Sequence, residues 1–175
     1  MTNFTLIPFD KSTAPKMAIA GKLQRQNNQL SVEYKLTETS NIIIPKRASC
    51  PQRQLDLWTH TCCEFFLGLK DASQYWEFNL SPAGHWNVFR FDSYRQNMEI
   101  ENVFNTLPFQ ILQQDNSLLI SLNINLNKIV KPEQNLQVGV TTVIEDNQNQ
   151  LSYWALNHPG KEADFHLSDS FAIAL

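Results

Sequence analysis

Two glutamates and an asparagine on neighbouring predicted strands are the side chains best suited to binding a polar ligand. Glu77 and Asn79 share one face of a strand whose opposite face is wholly apolar, and Glu64 shares a face of the preceding strand with a cysteine and a phenylalanine. A carboxylate among such neighbours is costly to bury unless it is paired or hydrogen-bonded. Two interpretations stay open: Glu64 forms a structural ion pair with Arg90 or Arg95, or the glutamates line a polar hollow that faces a ligand.

Tryptophans close to these residues in the sequence indicate a sugar as the ligand. A pyranose presents C–H faces that stack on an indole, and its hydroxyls can bond to Glu, Asn and Arg side chains. Trp58, Trp86 and Trp154 are the candidate platforms, although most tryptophans of β-sandwiches lie in the core. We expect Trp58 to be the most accessible because it directly precedes a strand.

The same residue types could serve catalysis or metal binding, but no motif favours either function. Glu64 and Glu77 form a pair of acids of the kind that glycosidases use, yet nothing assigns them the roles of acid and nucleophile. His60 and Cys62 are two positions apart, and His158 and His166 add nitrogen donors, but this spacing matches no common zinc site. We therefore favour a binding protein over an enzyme, with no catalytic and no metal-ligating residue.

Strands are the elements that must position these side chains. Apolar residues alternate with polar ones most clearly in Leu118–Leu126 and Leu136–Ile144, a period typical of strands that pack on one side. Weaker alternation predicts six more strands: Met17–Gln24, Leu30–Leu36, Thr61–Leu69, Gln74–Leu80, Trp86–Asp92 and Ser152–Leu156. The two strands that carry the glutamates are joined by a short polar loop and are predicted to form a hairpin.

This series of strands predicts a single all-β domain over residues 1–175. The expected architecture is an antiparallel β-sandwich of jelly-roll-like, immunoglobulin-like two-sheet type. The irregular segment Thr39–Asp56 is expected to cover an edge or one mouth of the sandwich, and Phe171–Leu175 is expected to be a short closing strand.

Composition and charge narrow the class of protein further. Of the 175 residues, 42% are hydrophobic and 18% charged, and the formal net charge is −3. These values are typical of a globular domain, and the negative charge provides no attraction to nucleic acid. Without a long apolar run we expect neither a membrane span nor a secretory signal. Three cysteines, two of them adjacent, argue against a disulfide framework, so the expected location is the cytoplasm.

Several blocks of the sequence, in their order and spacing, match the pattern of one protein family. They are Leu57–Phe66 (LWTHTCCEFF), Tyr75–Gly84 (YWEFNLSPAG), Tyr94–Arg95, Tyr153–Leu156 (YWAL), Asp164–His166 (DFH) and Phe171. In this arrangement the chain resembles the DOMON-like domains, which are akin to the family-nine carbohydrate-binding modules. The resemblance implies a jelly-roll-like β-sandwich with a ligand site on a concave face or at its rim.

The resemblance also implies roles for individual residues. In the sugar-binding modules a Trp six residues before a strand Glu stacks on a terminal sugar, and the Glu bonds the sugar's hydroxyls. Trp58 and Glu64 stand in that relation here. The family's second aromatic platform falls at Phe165, an arginine of its pocket is replaced by Glu77, and its acidic residue between the Trp and the Glu is replaced by Thr61.

Other DOMON relatives hold haem through a methionine and a histidine. Met98 with His60, or Met17 with His158, could supply such a pair here, although neither pair matches the haem motif. A haem-binding redox module is therefore the alternative function.

Together these observations predict a non-catalytic protein that binds a small polar ligand, a carbohydrate in the first place. No cofactor other than haem is suggested, and the sequence leaves protein partners open. The predicted ligand-binding residues are Trp58, His60, Glu64, Glu77, Asn79, Trp86, Arg90, Arg95, Trp154, His158 and Phe165.

Overall fold

The computed structural model describes residues 1–175 and consists mainly of β-strands. Its twelve strands are, in chain order, β1 Thr2–Pro8, β2 Ala18–Gln26, β3 Gln29–Thr37, β4 Cys62–Leu69, β5 Tyr75–Leu80, β6 Trp86–Phe91, β7 Glu99–Ile100, β8 Phe109–Gln114, β9 Ser117–Asn125, β10 Leu136–Glu145, β11 Leu151–Ala155 and β12 Ile173–Ala174. Short 3-10 helical turns lie at Thr39–Asn41, Leu57–Thr59 and Ser168–Ser170.

All strand pairs are antiparallel and belong to one continuous sheet. One half of the sheet has the order β8, β9, β3, β2, β1, and the other half has the order β11, β10, β4, β5, β6, β7, with β12 added to β10. The strand β1 joins the halves because it pairs with β2 along most of its length and with β11 at its end. The sheet curls into a half-barrel. The prediction of an all-β antiparallel fold is confirmed. The predicted sandwich of two separate sheets is not confirmed, because strand pairing links all twelve strands in one sheet.

The two halves of the curled sheet face each other across one hydrophobic core. Thirty-one buried residues belong to it, and most of them come from strands of both halves. Phe65 of β4 and Phe78 of β5 stack there with their ring centroids 4.4 Å apart. The hydroxyl of Tyr34 on β3 donates a hydrogen bond to the main-chain oxygen of Glu64 on β4, which ties one half to the other. Burial of this apolar surface stabilises the curl.

The opposite side of β4, β5, β6 and β10, which we call the outer face, carries a smaller cluster of eight buried residues. The chain that follows β11 covers part of it. Phe171 packs directly on the sheet because Gly68 and Gly139 have no side chain: a Cβ atom would lie 2.9 Å from its ring at Gly68 and 2.8 Å at Gly139. The same ring stacks on Phe66, with the centroids 5.6 Å apart. The outer face is therefore closed by irregular chain rather than by a second layer of strands.

The eight strands predicted from alternation are present, and their ends differ from the prediction by at most two residues. The predicted hairpin is β4 and β5, and the predicted closing strand contains β12. The strands β1, β7 and β8 are additional to the prediction. The segment Thr39–Asp56 is irregular apart from one 3-10 turn and touches the ends of β6 and β10 through isolated bridges. None of the helical turns has the length and hydrophobicity required to span a bilayer.

Candidate ligand-binding site

A cavity of about 440 Å³ opens on the outer face, between the sheet and the chain segments that cover it. The turn Leu57–Thr59 borders the cavity on one side, and residues 163–166 border it on another. Its fourteen lining residues are Trp58, Thr59, Glu64, Phe66, Glu77, Phe91, Arg95, Met98, Val143, Leu151, Tyr153, Ala163, Phe165 and His166. Carboxyl, guanidinium and imidazole groups thus meet among aromatic rings.

Glu64 is a buried carboxyl group with few partners. It lies in the middle of the sheet, between Thr141 of β10 and Asn79 of β5. Its Oε2 accepts one long hydrogen bond of 3.4 Å from the Thr141 hydroxyl, and its Oε1 is buried without any partner. Burial raises the pKa of Glu64 well above its usual range, and the neighbouring charge of Glu77 raises it further. The predicted alternative of an ion pair with Arg90 or Arg95 is wrong, since both arginines pair with other carboxylates.

Glu77 lies diagonally across from Glu64, on the same face of the adjacent strand. Its Oε1 accepts a hydrogen bond of 2.8 Å from the side-chain amide of Asn79, and its Oε2 lies 3.8 Å from Nε2 of His166. Burial raises the pKa of Glu77 to about 7, while the bond from Asn79 and the charge of Arg95 act in the opposite direction. Near neutral pH the group therefore exchanges between its acid form and its carboxylate form.

His166 faces Glu77 as a neutral ring. Burial lowers the pKa of His166 to about 4, and the charge of Arg95 adds to this effect. The Tyr75 hydroxyl accepts a hydrogen bond from the main-chain N–H of Arg95 at 3.1 Å and lies 2.9 Å from Nδ1 of His166. Because that hydroxyl can then donate its own proton to Nδ1, the ring proton is assigned to Nε2, on the side of Glu77. Imidazole and carboxyl group therefore do not form an ion pair at neutral pH.

Arg95 is neutralised by a carboxylate outside the glutamate pair. Its guanidinium donates to Oδ1 of Asp164 at 2.9 Å, and the hydroxyl of Tyr94 donates to the other oxygen of the same carboxylate. Although burial alone would raise it, these bonds and the main-chain N–H of His166 hold the pKa of Asp164 below its usual range. The Arg95–Asp164 pair thus brings no net charge to the cavity and anchors the covering segment.

Aromatic rings form most of the remaining surface. Trp58 lies in the 3-10 turn that directly precedes β4, so it stands at the border of the outer face rather than in the sheet. It is half-buried, and its ring contacts Phe89 edge to face at 5.7 Å. Phe165 meets Tyr153 in the same geometry at 6.0 Å on another border of the cavity. The arrangement offers ring surfaces beside a pair of hydrogen-bonding acids.

Five of the eleven residues predicted to bind a ligand line this cavity: Trp58, Glu64, Glu77, Arg95 and Phe165. Asn79 is fully buried beside Glu77 on the same face of β5, opposite Glu64 in the register, and donates a hydrogen bond to Glu77. The fold thus brings together residues from separate parts of the sequence. Their role in binding stays a prediction.

Two predicted platforms, Trp86 and Trp154, lie in the main core instead of the cavity. Their positions in β6 and β11 direct both rings to the inner side of the sheet, because neighbouring residues of a strand point to opposite faces. The guanidinium of Arg53 lies 4.3 Å from the ring centroid of Trp86, and Nε1–H of Trp154 donates to the Ser152 hydroxyl at 3.0 Å. Both indoles therefore have partners inside the protein.

Three further predicted residues also lie outside the cavity. Nδ1 of His60 contacts a carboxylate oxygen of Glu145 at 2.7 Å, and Arg90 forms an ion pair of 2.6 Å with Glu99 at the sheet edge. Nε2 of His158 bonds to a main-chain oxygen of β1 at 2.9 Å. Neither His60 nor His158 lines the cavity that Met98 lines, so the two methionine–histidine pairs considered for haem do not meet there.

Several residues of the site are not among those that the sequence predicted to bind the ligand. His166, Met98 and Tyr153 line the cavity, and Tyr75 orients His166. His166 and Tyr153 belong to the C-terminal blocks that carry the family resemblance, which was an available signal. Met98 lies in an irregular segment after β6, where no periodic pattern indicates which way a side chain points.

A second hollow, of about 340 Å³, runs along β2, β3 and β9 and is lined mainly by polar side chains. Its charged residues Lys22 and Glu33 pair with each other at 3.2 Å, and it contains no buried polar group that lacks a partner.

Comparison with known proteins gives results at the level of structure alone. No protein-family model matches the sequence, and no curated protein matches it. The fold is similar to that of a proposed carbohydrate-binding protein from Bacteroides uniformis, with a TM-score of 0.69, 11% identity, and coverage of 98% of this chain and 84% of that one. It is also similar to a family 9 carbohydrate-binding module from Caldicellulosiruptor kristjanssonii in complex with glucose, with a TM-score of 0.50, 13% identity, and coverage of 83% and 69%. These likenesses support a relation to the family 9 modules in fold.

Proposed function

We propose that the protein binds a carbohydrate in the outer-face cavity and does not convert it chemically. One observation carries this proposal: the half-buried indole of Trp58 and the two buried carboxyl groups of Glu64 and Glu77 border the same open cavity. A sugar ring needs this combination, since its C–H face packs on an aromatic ring while its hydroxyls need hydrogen-bond partners.

The size and the polarity of the cavity suit a small ligand. Its volume of about 440 Å³ falls within the range of roughly 300–1,000 Å³ that is usual for small-molecule sites. The free Oε1 of Glu64 is an acceptor that a sugar hydroxyl could satisfy, and a buried group without a partner costs about 1–3 kcal/mol. Glu77 and Arg95 offer further polar contacts on the same surface.

The comparisons support a sugar as the ligand in a coarser way. Both structural relatives are described as carbohydrate-binding, and one of them holds glucose. The relation of Trp58 to Glu64 in the sequence is the one that the family-nine modules use. We also propose that the chain is related to the DOMON-like domains and has their jelly-roll sandwich architecture. This part of the proposal rests on the sequence blocks that resemble the family. With one stacking ring and a few hydrogen bonds, we expect a dissociation constant of roughly micromolar to millimolar size.

The test is a titration of the protein with a panel of mono- and disaccharides, in which calorimetry and tryptophan fluorescence measure binding. We expect at least one sugar to bind, and we expect Trp58→Ala to weaken that binding about tenfold, because a stacking contact contributes about 1 kcal/mol beyond the burial of its surface. The matched control is Phe9→Ala. Phe9 is also partly exposed, but its ring contacts His158 away from the cavity.

Binding that is unchanged in Trp58→Ala and lost in Phe9→Ala would place the site elsewhere. If no sugar of the panel binds, the proposed function is wrong.

A further inference from the structure

We infer that the sugar is an amino sugar, with its protonated primary amine bound between Glu64 and Glu77 and its ring packed on Trp58. This inference rests on the proposed function and names its ligand class. The carboxyl pair, its missing counter-ion and the aromatic border carry it.

No cation of the protein pairs with the two glutamates. Arg95 is the one positively charged residue that lines the cavity, and its guanidinium bonds to Asp164 at 2.9 Å. His166 lies 3.8 Å from Glu77, but its ring is neutral at ordinary pH because its pKa is about 4. When both glutamates are ionised, the cavity therefore holds two negative charges, and no positively charged residue of the chain forms an ion pair with either of them. A cationic group of the ligand would balance them.

One oxygen of the pair lacks a hydrogen-bond donor. Oε1 of Glu64 is buried and unpartnered, and Glu64 itself is only 2% exposed. A hydroxyl offers one donor, whereas a primary ammonium group offers three. An ammonium group between the strands could thus donate to Glu64 and to its diagonal neighbour Glu77 at once, in charge-assisted bonds that are stronger than neutral ones.

The aromatic side chains of the cavity also suit a sugar ring that carries a positively charged amino group. Four aromatic residues besides Trp58 line the cavity together with the carboxyl groups: Phe66, Phe91, Tyr153 and Phe165. Aromatic faces attract cations within about 6 Å, most strongly where water is excluded. A quaternary ammonium would use these faces but could not donate to Glu64, so the unpartnered oxygen favours a primary amine.

Protonation of the glutamates gives the inference a second consequence. Both carboxyl groups have raised pKa values in the empty protein because they are buried. Binding of an ammonium group favours their ionised form, so protons must leave the site as the amino sugar enters. The other titratable or charged groups around the pair are Cys62, Tyr75, Arg95, Tyr153, Asp164 and His166.

The experiment compares three sugars of one ring type by calorimetry near pH 7: D-glucosamine, D-glucose and N-acetyl-D-glucosamine. The galacto series serves as a second set. In at least one series we expect the amino sugar to bind about tenfold more tightly than its two neutral analogues, as a charge-assisted pair would provide. Titration in buffers of different ionisation enthalpy should show that the amino sugar releases protons near pH 6.5, approaching two per site if both carboxyl groups become ionised, and that the neutral sugars release none.

Variants of the carboxyl groups sharpen the result. Glu64→Gln should reduce the affinity for the amino sugar to that for the neutral sugar. The control is Glu145→Gln, which changes a buried carboxyl group outside the cavity and should leave the tighter binding of the amino sugar unchanged. The proton count needs no variant, so it tests the inference even if Glu64→Gln fails to fold. If the neutral sugars bind as tightly as the amino sugars in both series, the inference of an amino sugar is wrong, whereas the proposed function is unaffected. Absence of binding by every sugar would overturn both.

Discussion

The two faces of the hairpin β4–β5 have the same neighbours along the chain but opposite chemistry. On the inner face Phe65 and Phe78 stack within the large core, and every side chain there is apolar or satisfied. On the outer face Glu64 and Glu77 are buried just as deeply, and one carboxyl oxygen has no partner. Burial therefore serves two purposes: the inner face stabilises the fold, whereas the outer face keeps one unpartnered carboxyl oxygen next to an open cavity.

The covers of the two faces explain this difference. The inner face is covered mainly by the other half of the same sheet, where strand geometry fixes most contacts. The outer face is covered by irregular chain, which Phe171 anchors over Gly68 and Gly139 and which the Arg95–Asp164 pair holds at the cavity. Irregular cover can leave a cavity that two packed layers of strands would fill. We expect substitutions on the two faces to differ accordingly.

The largest effect is expected on the inner face. Phe78→Ala removes a fully buried ring that stacks on Phe65 and meets Phe104 edge to face. Truncation of such a ring costs about 3–5 kcal/mol, through lost burial and the cavity left behind. Urea unfolding should report a loss of this size. A loss below about 1 kcal/mol would mean that the inner face does not carry the stability of the fold.

An intermediate effect of opposite sign is expected on the outer face. The pKa of Glu77 is about 7 in the folded protein, above its ordinary value of 4.5, so folding favours the protonated group. Its contribution makes the protein less stable as the pH rises from about 4.5 to about 7, and the loss persists above that. Glu77→Gln, which can still accept the bond from Asn79, should therefore stabilise the protein above pH 7, by about 1–3 kcal/mol. Unfolding by urea at several pH values measures this.

His166 provides the matched comparison for that pH profile. Its pKa falls from an ordinary 6.5 to about 4 on folding, so its contribution to stability is full above pH 6.5 and is lost as the pH falls towards 4. The two groups thus act in opposite directions between about pH 4.5 and 6.5. In His166→Gln the decline in stability with rising pH should be steeper than in the parent, whereas in Glu77→Gln the decline should be weaker, because Glu64 alone then opposes the contribution of His166. Equal profiles for both variants would contradict the burial of these groups.

The smallest effect is expected at the anchor of the cover. Arg95→Gln breaks a partly exposed ion pair with Asp164, and the Arg95 side chain is 51% exposed. Solvent screens such pairs, so the free energy of unfolding should fall by less than about 1 kcal/mol. The pKa of Asp164 should rise at the same time, which titration by NMR can detect. A larger loss of stability would mean that the cover of the outer face is part of the cooperative core.

The sequence predicted the chemistry of the hairpin well because period two has a direct geometric meaning. Alternation assigns Glu77 and Asn79 to one face and Phe78 to the other, and the registers of β4 and β5 agree. The same reasoning misses β7, which has only two exposed residues, and β8, which lies at the edge of the sheet and is mostly exposed. The strand β1 does alternate, with Phe4 and Leu6 buried, and could have been found by this signal.

The cavity itself could be predicted only in part. Trp58 and Glu64 are six residues apart, so local sequence can relate them, and the family pattern did so. The partners of Glu77 and Tyr75 come from the segment around His166, about ninety positions further along the chain, without secondary structure to constrain its path. Tryptophan alone is also a poor guide, because Trp86 and Trp154 fill the core in strands that resemble those of the site. The position of each tryptophan in its element, rather than residue type, decides which indole reaches the outer face.

The most direct measurement follows the indole N–H signals of the four tryptophans by NMR during a titration with D-glucosamine and D-glucose. Substitution of each tryptophan in turn by phenylalanine assigns the signals. We predict that the Trp58 signal shifts in a saturable manner with at least one of these sugars, while the signals of Trp76, Trp86 and Trp154 hardly move, because those indoles are buried away from the cavity. A Trp58 signal that stays fixed while another tryptophan responds, or that ignores both sugars, would contradict a sugar site at the outer face.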